Sequence, residues 1–328
     1  VQNGDPLELP FAIERYKAAL AKYDAFVTTP GFAAMPPELA TPFAQWARAN
    51  GMTALGPLFE VAIFAYGYGQ LDQISAGYVL KYIDANIFKL ILDGPLPKLP
   101  GTTRWPLVFV EGFGGFWKRV GDRLTLRGVK IALSKEIKTI VRGAKVVATL
   151  TDGSAYTFDQ LVVASPLDTA SLAFLDLQAE ERAIFDRIKY NHYVTAACEI
   201  AGVPDGWNEE PPNVQTGHVL QVWKPWDGVN MAVFYAMRDE AMTVQQVVDN
   251  FIADSPGQLH GGTITNVPYT CDWSYFPHFD EGDLRGGIYD RLDALQGRRA
   301  TYYVGGLLNF ETVKTTAAYS RALVEKYF

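Results

Sequence analysis

The closing stretch of the chain, TYYVGGLLNFETVKTTAAYSRALVEKYF from Thr301 to Phe328, decides the fold. Its pattern predicts a short buried strand at Tyr302–Val304, a turn at Gly305 and Gly306, and a helix over 312–327. The strand, the glycine turn and the helix follow one another so closely that the first amide groups of the helix are expected to face back toward the end of the strand.

The predicted closing helix carries a face of small side chains at spacings of four, three and four: Val313, Ala317, Ser320 and Val324. Such a face predicts close packing against a sheet. Either Asn309 or Glu311 is expected to cap the helix.

Two interpretations of this segment remain open from its residues alone. In the first, Gly305 and Gly306 let the backbone approach a flat or charged group without an intervening Cβ, and the exposed amides of Thr312 and Val313 attract negative charge. In the second, the glycines form only a tight turn and the helix is only a packed terminus.

The spacing of apolar residues changes to the period typical of strands in residues 128–165, GVKIALSKEIKTIVRGAKVVATLTDGSAYTFDQLVVAS. Apolar residues alternate over 129–133, and the pairs Arg142-Gly143 and Asp152-Gly153 predict hairpin turns. The unbroken apolar run 161–164 predicts a strand buried on both faces. The stretch therefore predicts a hairpin followed by a buried strand.

The whole chain is predicted to belong to the α/β fold class, and its sequence divides into four parts. Residues 1–100 are helical in pattern, 101–165 contain the hairpin, 166–299 mix helices and strands, and 300–328 hold the closing strand and helix. We predict that 101–165 and 300–328 form a split nucleotide-binding (Rossmann-like) domain. The helices of 1–100 and the mixed α+β region 166–299 are predicted to form the substrate domain.

Composition excludes several classes of function. A chain of 328 residues that is 48% hydrophobic can bury a large core, and its net charge of −7 without basic runs argues against nucleic-acid binding. The most apolar windows, such as GPLFEVAIFAYGYG, fall short of the roughly 20 apolar residues of a transmembrane helix.

No sequence pattern indicates a metal site or a hydrolase. The two cysteines, Cys198 and Cys271, lie far apart, the four histidines lack ligand spacing, and no Gly-x-Ser-x-Gly motif occurs. Lys224 and Arg238 are candidate anchors for a substrate carboxylate, and for each a role as an ordinary surface charge is the alternative.

The combination of GFGGFWKRVGDRLTL, the hairpin with its Asp-Gly turn, the strand that ends in Ser165-Pro166, and YYVGGLLNFETVKTTAAYSRALV resembles the flavin-containing amine oxidoreductase superfamily. CDWSYFPHF and GGIYDRLDALQG resemble one branch, which contains polyenoic fatty acid isomerases and proteins like β-cyclopiazonate dehydrogenase. The resemblance covers nearly the whole chain from about residue 5. It implies FAD as the cofactor.

The resemblance also implies which residues contact FAD. The backbone of Ile137 is expected on the adenine side, and Ser165 and Pro166 end the strand of the nucleotide-binding domain. The amides of Thr312 and Val313 are expected at the pyrimidine end of the flavin. The expected FAD contacts in the closing segment are Gly305, Gly306, Glu311, Thr312 and Val313.

A substrate pocket lined by aromatic side chains is expected over the flavin, from FAYGYG and CDWSYFPHF: Tyr66, Tyr68, Trp273, Tyr275 and Phe276. The implied reaction is hydride transfer to flavin from a largely apolar small molecule, by an oxidoreductase or an isomerase. Because the pocket candidates are aromatic and lack a neighbouring carboxylate on their strand face, an apolar substrate is favoured over a protonated amine.

The chain departs from the superfamily at one point. Members begin with a strand, a Gly-x-Gly-x-x-Gly loop and a helix that cradle the pyrophosphate, whereas only EGFGGF at Glu111–Phe116 is glycine-rich here, and it is expected to be a close-packed helix start. We therefore expect the first nucleotide-binding unit to be missing before Val1. The alternative function is a truncated or non-catalytic binding protein derived from this fold.

Overall fold

The structure is a computed structural model that describes residues 5–93, 109–205, 208–209, 215–224 and 226–328. The predicted boundary at residues 100 and 101 lies outside the described residues. Within the described part of the chain, no helix is both long enough and apolar enough to cross a membrane.

The N-terminal region is helical, as predicted. Helix α1 begins with a proline in its first turn and buries one face through Ala12, Tyr16 and Leu20. Ser75 caps α5, where its hydroxyl accepts a hydrogen bond from the Tyr78 amide at 3.4 Å. The helices are α1 (Leu9–Lys22), α2 (Asp24–Thr28), α3 (Phe43–Ala49), α4 (Gly56–Phe64), α5 (Ala76–Tyr82) and α6 (Ala85–Asp93).

The next region contains the predicted hairpin. Helix α7 (Gly112–Leu126) precedes β1 (Ile137–Arg142), β2 (Val146–Leu150), β3 (Ala155–Phe158) and β4 (Leu161–Val163). Strands β1, β2 and β3 form a three-stranded antiparallel sheet, and its two connections lie at the predicted turns. Residues 129–133 do not form a strand, because no neighbouring strand pairs with them.

A five-stranded antiparallel sheet dominates the following region, with the order β6-β7-β8-β5-β9. Its two longest strands, β5 (Lys189–Ala201) and the edge strand β9 (Thr263–His278), pair from Lys189 opposite His278 to Ala201 opposite Thr263, with three register shifts between these ends. Helix α9 packs on it and builds a second apolar core. The elements are α8 (Ala179–Phe185), β5 (Lys189–Ala201), β6 (Asn208–Glu209), β7 (Gln221–Trp223), β8 (Met231–Arg238), α9 (Val244–Gln258) and β9 (Thr263–His278).

The chain closes with α10 (Glu281–Arg285), α11 (Ile288–Asp293), β10 (Thr301–Tyr303), α12 (Gly306–Asn309) and α13 (Val313–Tyr327). The main apolar core joins the N-terminal helices, the hairpin and this closing segment. Strand β10 pairs in parallel with β4, so that residues 140 positions apart in the chain lie side by side. The result is an α/β fold with separate sheets.

Three predictions about packing and helix capping were wrong, and a fourth was right only in part. In the run 161–164, Val163 is buried but Val162 is 46% exposed, because the described residues cover only one face of the two-stranded β4–β10 sheet. Along α13 the buried residues are Tyr319 and Leu323, and the small-residue face is largely exposed.

The other two corrections concern helix starts. Thr312 caps α13, rather than Asn309 or Glu311, through a reciprocal capping box with Thr315. Glycine-rich α7 has no buried residue, and a Cβ on Gly112 or Gly114 would meet no described atom within 4 Å, whereas a Cβ on Gly115 would lie 2.5 Å from Glu111 Cβ. This helix start is therefore close-packed only between Gly115 and Glu111 and is open elsewhere among the described residues.

Candidate functional site

The carboxyl ends of β4 and β10 bring two predicted segments to one edge. Tyr303 pairs with Val163, and the Val304 amide donates to the Val163 carbonyl at 3.0 Å. Because the strands are parallel, Ser165-Pro166 and Gly305-Gly306 both leave the sheet on this edge. The crevice beyond the carboxyl ends of parallel strands is where α/β sheets bind ligands.

The two glycines at this edge have different structural roles. Gly305 has φ of 128°, a conformation that favours glycine, and a Cβ on it would meet no atom within 4 Å. A Cβ on Gly306, in contrast, would come within 2.9 Å of Glu311 Cγ. Gly305 therefore leaves open space at the edge, and Gly306 permits the close approach of Glu311.

The start of α13 presents a free donor beside these glycines. Thr312 caps the helix, and its own amide donates to Thr315 Oγ1 at 3.3 Å. No acceptor for the Val313 amide occurs among the described residues, and the Val313 side chain is 58% exposed. Of the two amides predicted to bind a ligand, only that of Val313 is unoccupied in the part of the protein that is described.

Glu311 is a half-buried residue whose carboxylate lacks a full set of partners in the described part of the chain. Its Oε2 atom is buried and has no hydrogen-bond partner among the described residues. Burial raises the pKa of Glu311 to about 7, although a backbone hydrogen bond from Phe276 acts in the opposite direction. A buried orphan acceptor is costly unless a ligand satisfies it.

Five aromatic residues pack together on the inner side of Glu311, and we call them the aromatic cluster: Tyr68, Tyr82, Tyr275, Phe276 and Phe310. The Tyr68 ring lies 4.7 Å from Phe310 and 5.8 Å from Tyr275, measured between centroids. The rings of Tyr82 and Phe310 stack at 5.0 Å. The cluster joins α5, β9 and the α12–α13 turn into one aromatic wall.

Two members of the cluster have strained backbones. Phe276 has φ of 54° and Phe310 has φ of 68°, both in the left-handed region that non-glycine residues avoid. Their rings lie 5.1 Å apart. Strain of this kind persists where surrounding packing enforces it and concentrates at functional sites.

Tyr68 and Tyr275 carry protonated phenols near pH 7. Burial raises the pKa of Tyr275 to about 12, and burial likewise raises the pKa of Tyr68. The nearby Glu311 carboxylate raises both pKa values further. At Tyr68 and Tyr275 the cluster therefore offers protonated phenols and apolar rings, beside the Glu311 carboxyl group, whose pKa is about 7.

The structure brings together only some of the predicted pocket residues. Tyr68, Tyr275 and Phe276 belong to the aromatic cluster, whereas Tyr66 is 40% exposed. Trp273 is 48% exposed, and its indole donates to Thr195 Oγ1 at 2.9 Å. Ile137 lies at the exposed start of β1, in the three-stranded sheet rather than at the β4–β10 edge.

Both proposed carboxylate anchors have partners of their own. Arg238 Nε donates to Asp272 at 3.0 Å, and the Lys224 ammonium pairs with Asp205. Sequence reasoning did not single out Tyr82 and Phe310. The position of Phe310 directly before Glu311 in the closing motif was the only available signal for it.

Comparison with known families gives one match over more than half of the chain. The family described as flavin containing amine oxidoreductase matches residues 68–252. This match confirms the resemblance predicted from the sequence and the flavin cofactor that goes with it.

Curated relatives are distant and longer. The FAD-dependent oxidoreductase dpasF of Apiospora sacchari is 24% identical over 335 residues, which cover 90% of this chain and 64% of that protein. Beta-cyclopiazonate dehydrogenase of Aspergillus oryzae is 22% identical over 288 residues, which cover 83% of this chain and 59% of that protein. The chain thus spans about three fifths of the length of these relatives.

Solved structures share the fold. The CLA-producing fatty acid isomerase from P. acnes superposes with a TM-score of 0.86 at 26% identity, over 100% of this chain and 77% of that one. A putrescine oxidase bound to putrescine superposes with a TM-score of 0.68 at 14% identity, over 99% of this chain and 77% of that one. The second likeness shows the fold alone.

Proposed function

Because the chain belongs to the flavin containing amine oxidoreductase family, we propose that it is an FAD-dependent oxidoreductase or isomerase that acts on a largely apolar small molecule. In this proposal residues 101–165 and 300–328 form the split FAD-binding domain. The N-terminal helices and the five-stranded sheet form the substrate domain.

The residues at the β4–β10 edge fit the polar part of FAD. Glu311 Oε2 is a buried acceptor that receives no hydrogen bond from the described residues, and a ribityl hydroxyl is a donor of the required kind. Gly305 leaves open space for close backbone approach, and the Val313 amide is a free donor for an acceptor atom of the pyrimidine ring. The orphan oxygen of Glu311 is the observation on which the proposal rests.

When bound, FAD would accept a hydride from a substrate C–H bond, and this hydride is returned to another position of the substrate by an isomerase or passed to oxygen by an oxidase. The chain's own residues bind and orient the substrate. Tyr68 and Tyr275 provide flat apolar surfaces, and the packed rings of the aromatic cluster exclude water. Glu311, whose pKa is about 7, is able to hold a proton beside the ligand.

Three relationships favour an apolar substrate over a protonated amine. Asp272, the acid nearest the β9 aromatics in sequence, pairs with Arg238 and is thereby neutralised. Burial raises the pKa of Glu311 to about 7, so that near neutral pH it is a weaker counter-charge than a fully ionised carboxylate. Burial of an apolar substrate contributes about 25 cal/mol per Å² of covered surface and needs no buried ion pair.

The pyrophosphate of FAD needs a further binding element. No Gly-x-Gly-x-x-Gly loop occurs in the sequence, and the open face of the β4–β10 sheet exposes Val162. We propose that a nucleotide-binding unit outside residues 1–328 covers this face and completes the site. A non-catalytic binding protein is the alternative, and it predicts that no flavin is retained even with that unit present.

The test is FAD content after gel filtration of the protein expressed from its complete reading frame. We expect stoichiometric FAD in the unchanged protein and in Glu14→Ala, whose side chain is exposed, and marked loss in Glu311→Ala. A colourless unchanged protein would support the non-catalytic alternative. Full FAD content in Glu311→Ala would remove Glu311 from the site.

A further inference from the structure

A cavity of about 880 Å³ lies between α1, α2, α6 and the first turns of α13. Its volume is within the range of about 300–1,000 Å³ that is typical of small-molecule sites. Apolar wall is supplied by Leu20, Val27, Phe88 and Leu92. The cavity shares no lining residue with the aromatic cluster, and it borders the FAD edge only through Asn309, Lys314 and Thr315 around the start of α13.

Four lysines line this cavity, and three of them have carboxylate partners. Lys17 pairs with Glu14 at 2.7 Å, Lys89 with Asp93 at 2.6 Å, and Lys314 with Asp84 at 3.1 Å. Because these charges neutralise one another at the rim, they leave little net attraction for an anion there.

Lys81 is the fourth lysine, and it differs from the others in two respects. It is only 5% exposed, and no carboxylate among the described residues pairs with its ammonium group. Its ammonium donates to the Thr29 carbonyl and lies 4.7 Å from the centroid of the Phe26 ring. An ammonium has three donors, so capacity remains for an acceptor in the cavity.

A buried cation without a counter-ion is costly unless a ligand provides one. Burial lowers the pKa of Lys81 to about 7, and a bound anion would favour its charged form again. Asp24 also lines the cavity, in the first turn of α2, and it does not pair with Lys81 in the described part of the chain.

From this combination we propose that the Lys81 cavity binds a carboxylate that carries an alkyl chain. The Lys81 ammonium receives the carboxylate, and the chain lies along Leu20, Val27, Phe88 and Leu92. The proposal concerns a site other than the FAD edge and does not depend on flavin binding.

Calorimetric titration with decanoate and with 1-decanol tests this proposal, because the two ligands share an alkyl chain and differ in the charged group. We expect the unchanged protein to bind decanoate about tenfold or more tightly than 1-decanol, as for a charge-assisted hydrogen bond in a buried site. Lys81→Met should lose this preference, whereas Lys89→Met, which removes a paired lysine at the rim, should keep it.

Two further variants locate the binding and guard against misfolding of Lys81→Met. Ala318→Phe fills the cavity from an exposed position and should weaken both ligands. Tyr275→Leu alters the aromatic cluster and should leave decanoate binding unchanged. The proposal would be overturned if the unchanged protein bound the two ligands with equal affinity. It would also be overturned if Lys81→Met kept the preference for decanoate and Tyr275→Leu lost it.

Discussion

Glu311 packs so closely against Gly306 that a Cβ on residue 306 would lie 2.9 Å from Glu311 Cγ and 3.2 Å from Glu311 Cα. The second of these atoms belongs to the backbone and cannot turn aside as a flexible side chain would. Residue 306 must therefore be a glycine if Glu311 is to keep its position in the same turn. Because Glu311 belongs to the proposed FAD edge, that edge also depends on Gly306.

We predict that Gly306→Val displaces Glu311 and abolishes retention of FAD in the protein expressed from its complete reading frame. Gly257→Val is the matched control, because a Cβ on Gly257, in α9, meets no atom within 4 Å. FAD content after gel filtration is the measurement. Equal FAD content in the two variants would contradict the role assigned to the turn.

Glu311 should impose a pH dependence on stability. Its pKa rises from 4.5 to about 7 on folding, so between these values the folded state binds more protons than the unfolded state. Stability should therefore fall as pH rises through this window, by on the order of 3 kcal/mol. Below the window both states are protonated, and above it both are ionised.

Glu311→Gln removes this titration. In the cofactor-free protein we expect its free energy of unfolding to lose the decline between pH 4.5 and 7 and to exceed that of the unchanged protein at pH 8. Urea unfolding at several pH values measures it, with the exposed Glu14→Gln as control. A decline that persists in Glu311→Gln would show that other groups cause it.

Arg142 joins the hairpin to the closing strand through a buried ion-pair network. Its side chain is 0% exposed, both terminal nitrogens donate to Glu181 at 2.7 Å, and Tyr303 also donates to Glu181, at 2.5 Å. Arg142→Met would leave the buried Glu181 without its cation, and we expect a loss of about 3–5 kcal/mol in unfolding free energy.

Arg119→Met is the matched control for that change. Arg119 also pairs with a glutamate, Glu111, at 2.6 Å, but both side chains are more than half exposed. We expect no measurable change in its unfolding free energy. Similar losses in the two variants would mean that burial does not set the strength of the Arg142 network.

Within the aromatic cluster, Tyr275 contacts both Tyr68 and Tyr193, at centroid distances of 5.8 and 5.4 Å. Tyr275→Leu keeps an apolar side chain but removes the ring, and we expect kcat/KM for an apolar substrate to fall roughly threefold to tenfold. Trp273→Leu, which changes a side chain that is 48% exposed, should change kcat/KM less than twofold. A larger effect at Trp273 would move the substrate away from the cluster.

Local signals in the sequence predicted the hairpin well. The turn pairs Arg142-Gly143 and Asp152-Gly153 lie where the strands turn, because turn geometry depends on the residues in the turn. The strand and helix of the closing segment were also predicted to within one residue at each end, because buried runs and helix periods are read over short windows.

Long-range packing was not accessible in the same way. The exposure of Val162 and of the small face of α13 depends on which surface another element covers, and the period of the residues does not contain that information. Phe276 and Phe310 adopt left-handed backbone conformations that their residue type disfavours, so tertiary packing determines these conformations. Lys81 lies in an ordinary helix, and only the fold shows that no carboxylate of the described residues pairs with it.

The most direct test of the central claim is anaerobic reduction of the FAD-loaded protein, expressed from its complete reading frame, followed by visible absorbance. We expect a polyunsaturated fatty acid or a prenylated aromatic compound to bleach the flavin or to be isomerised, and simple primary amines and polyamines to leave it unchanged. Rapid bleaching by a small amine, without any response to the apolar compounds, would contradict the account and make the protein an amine oxidase.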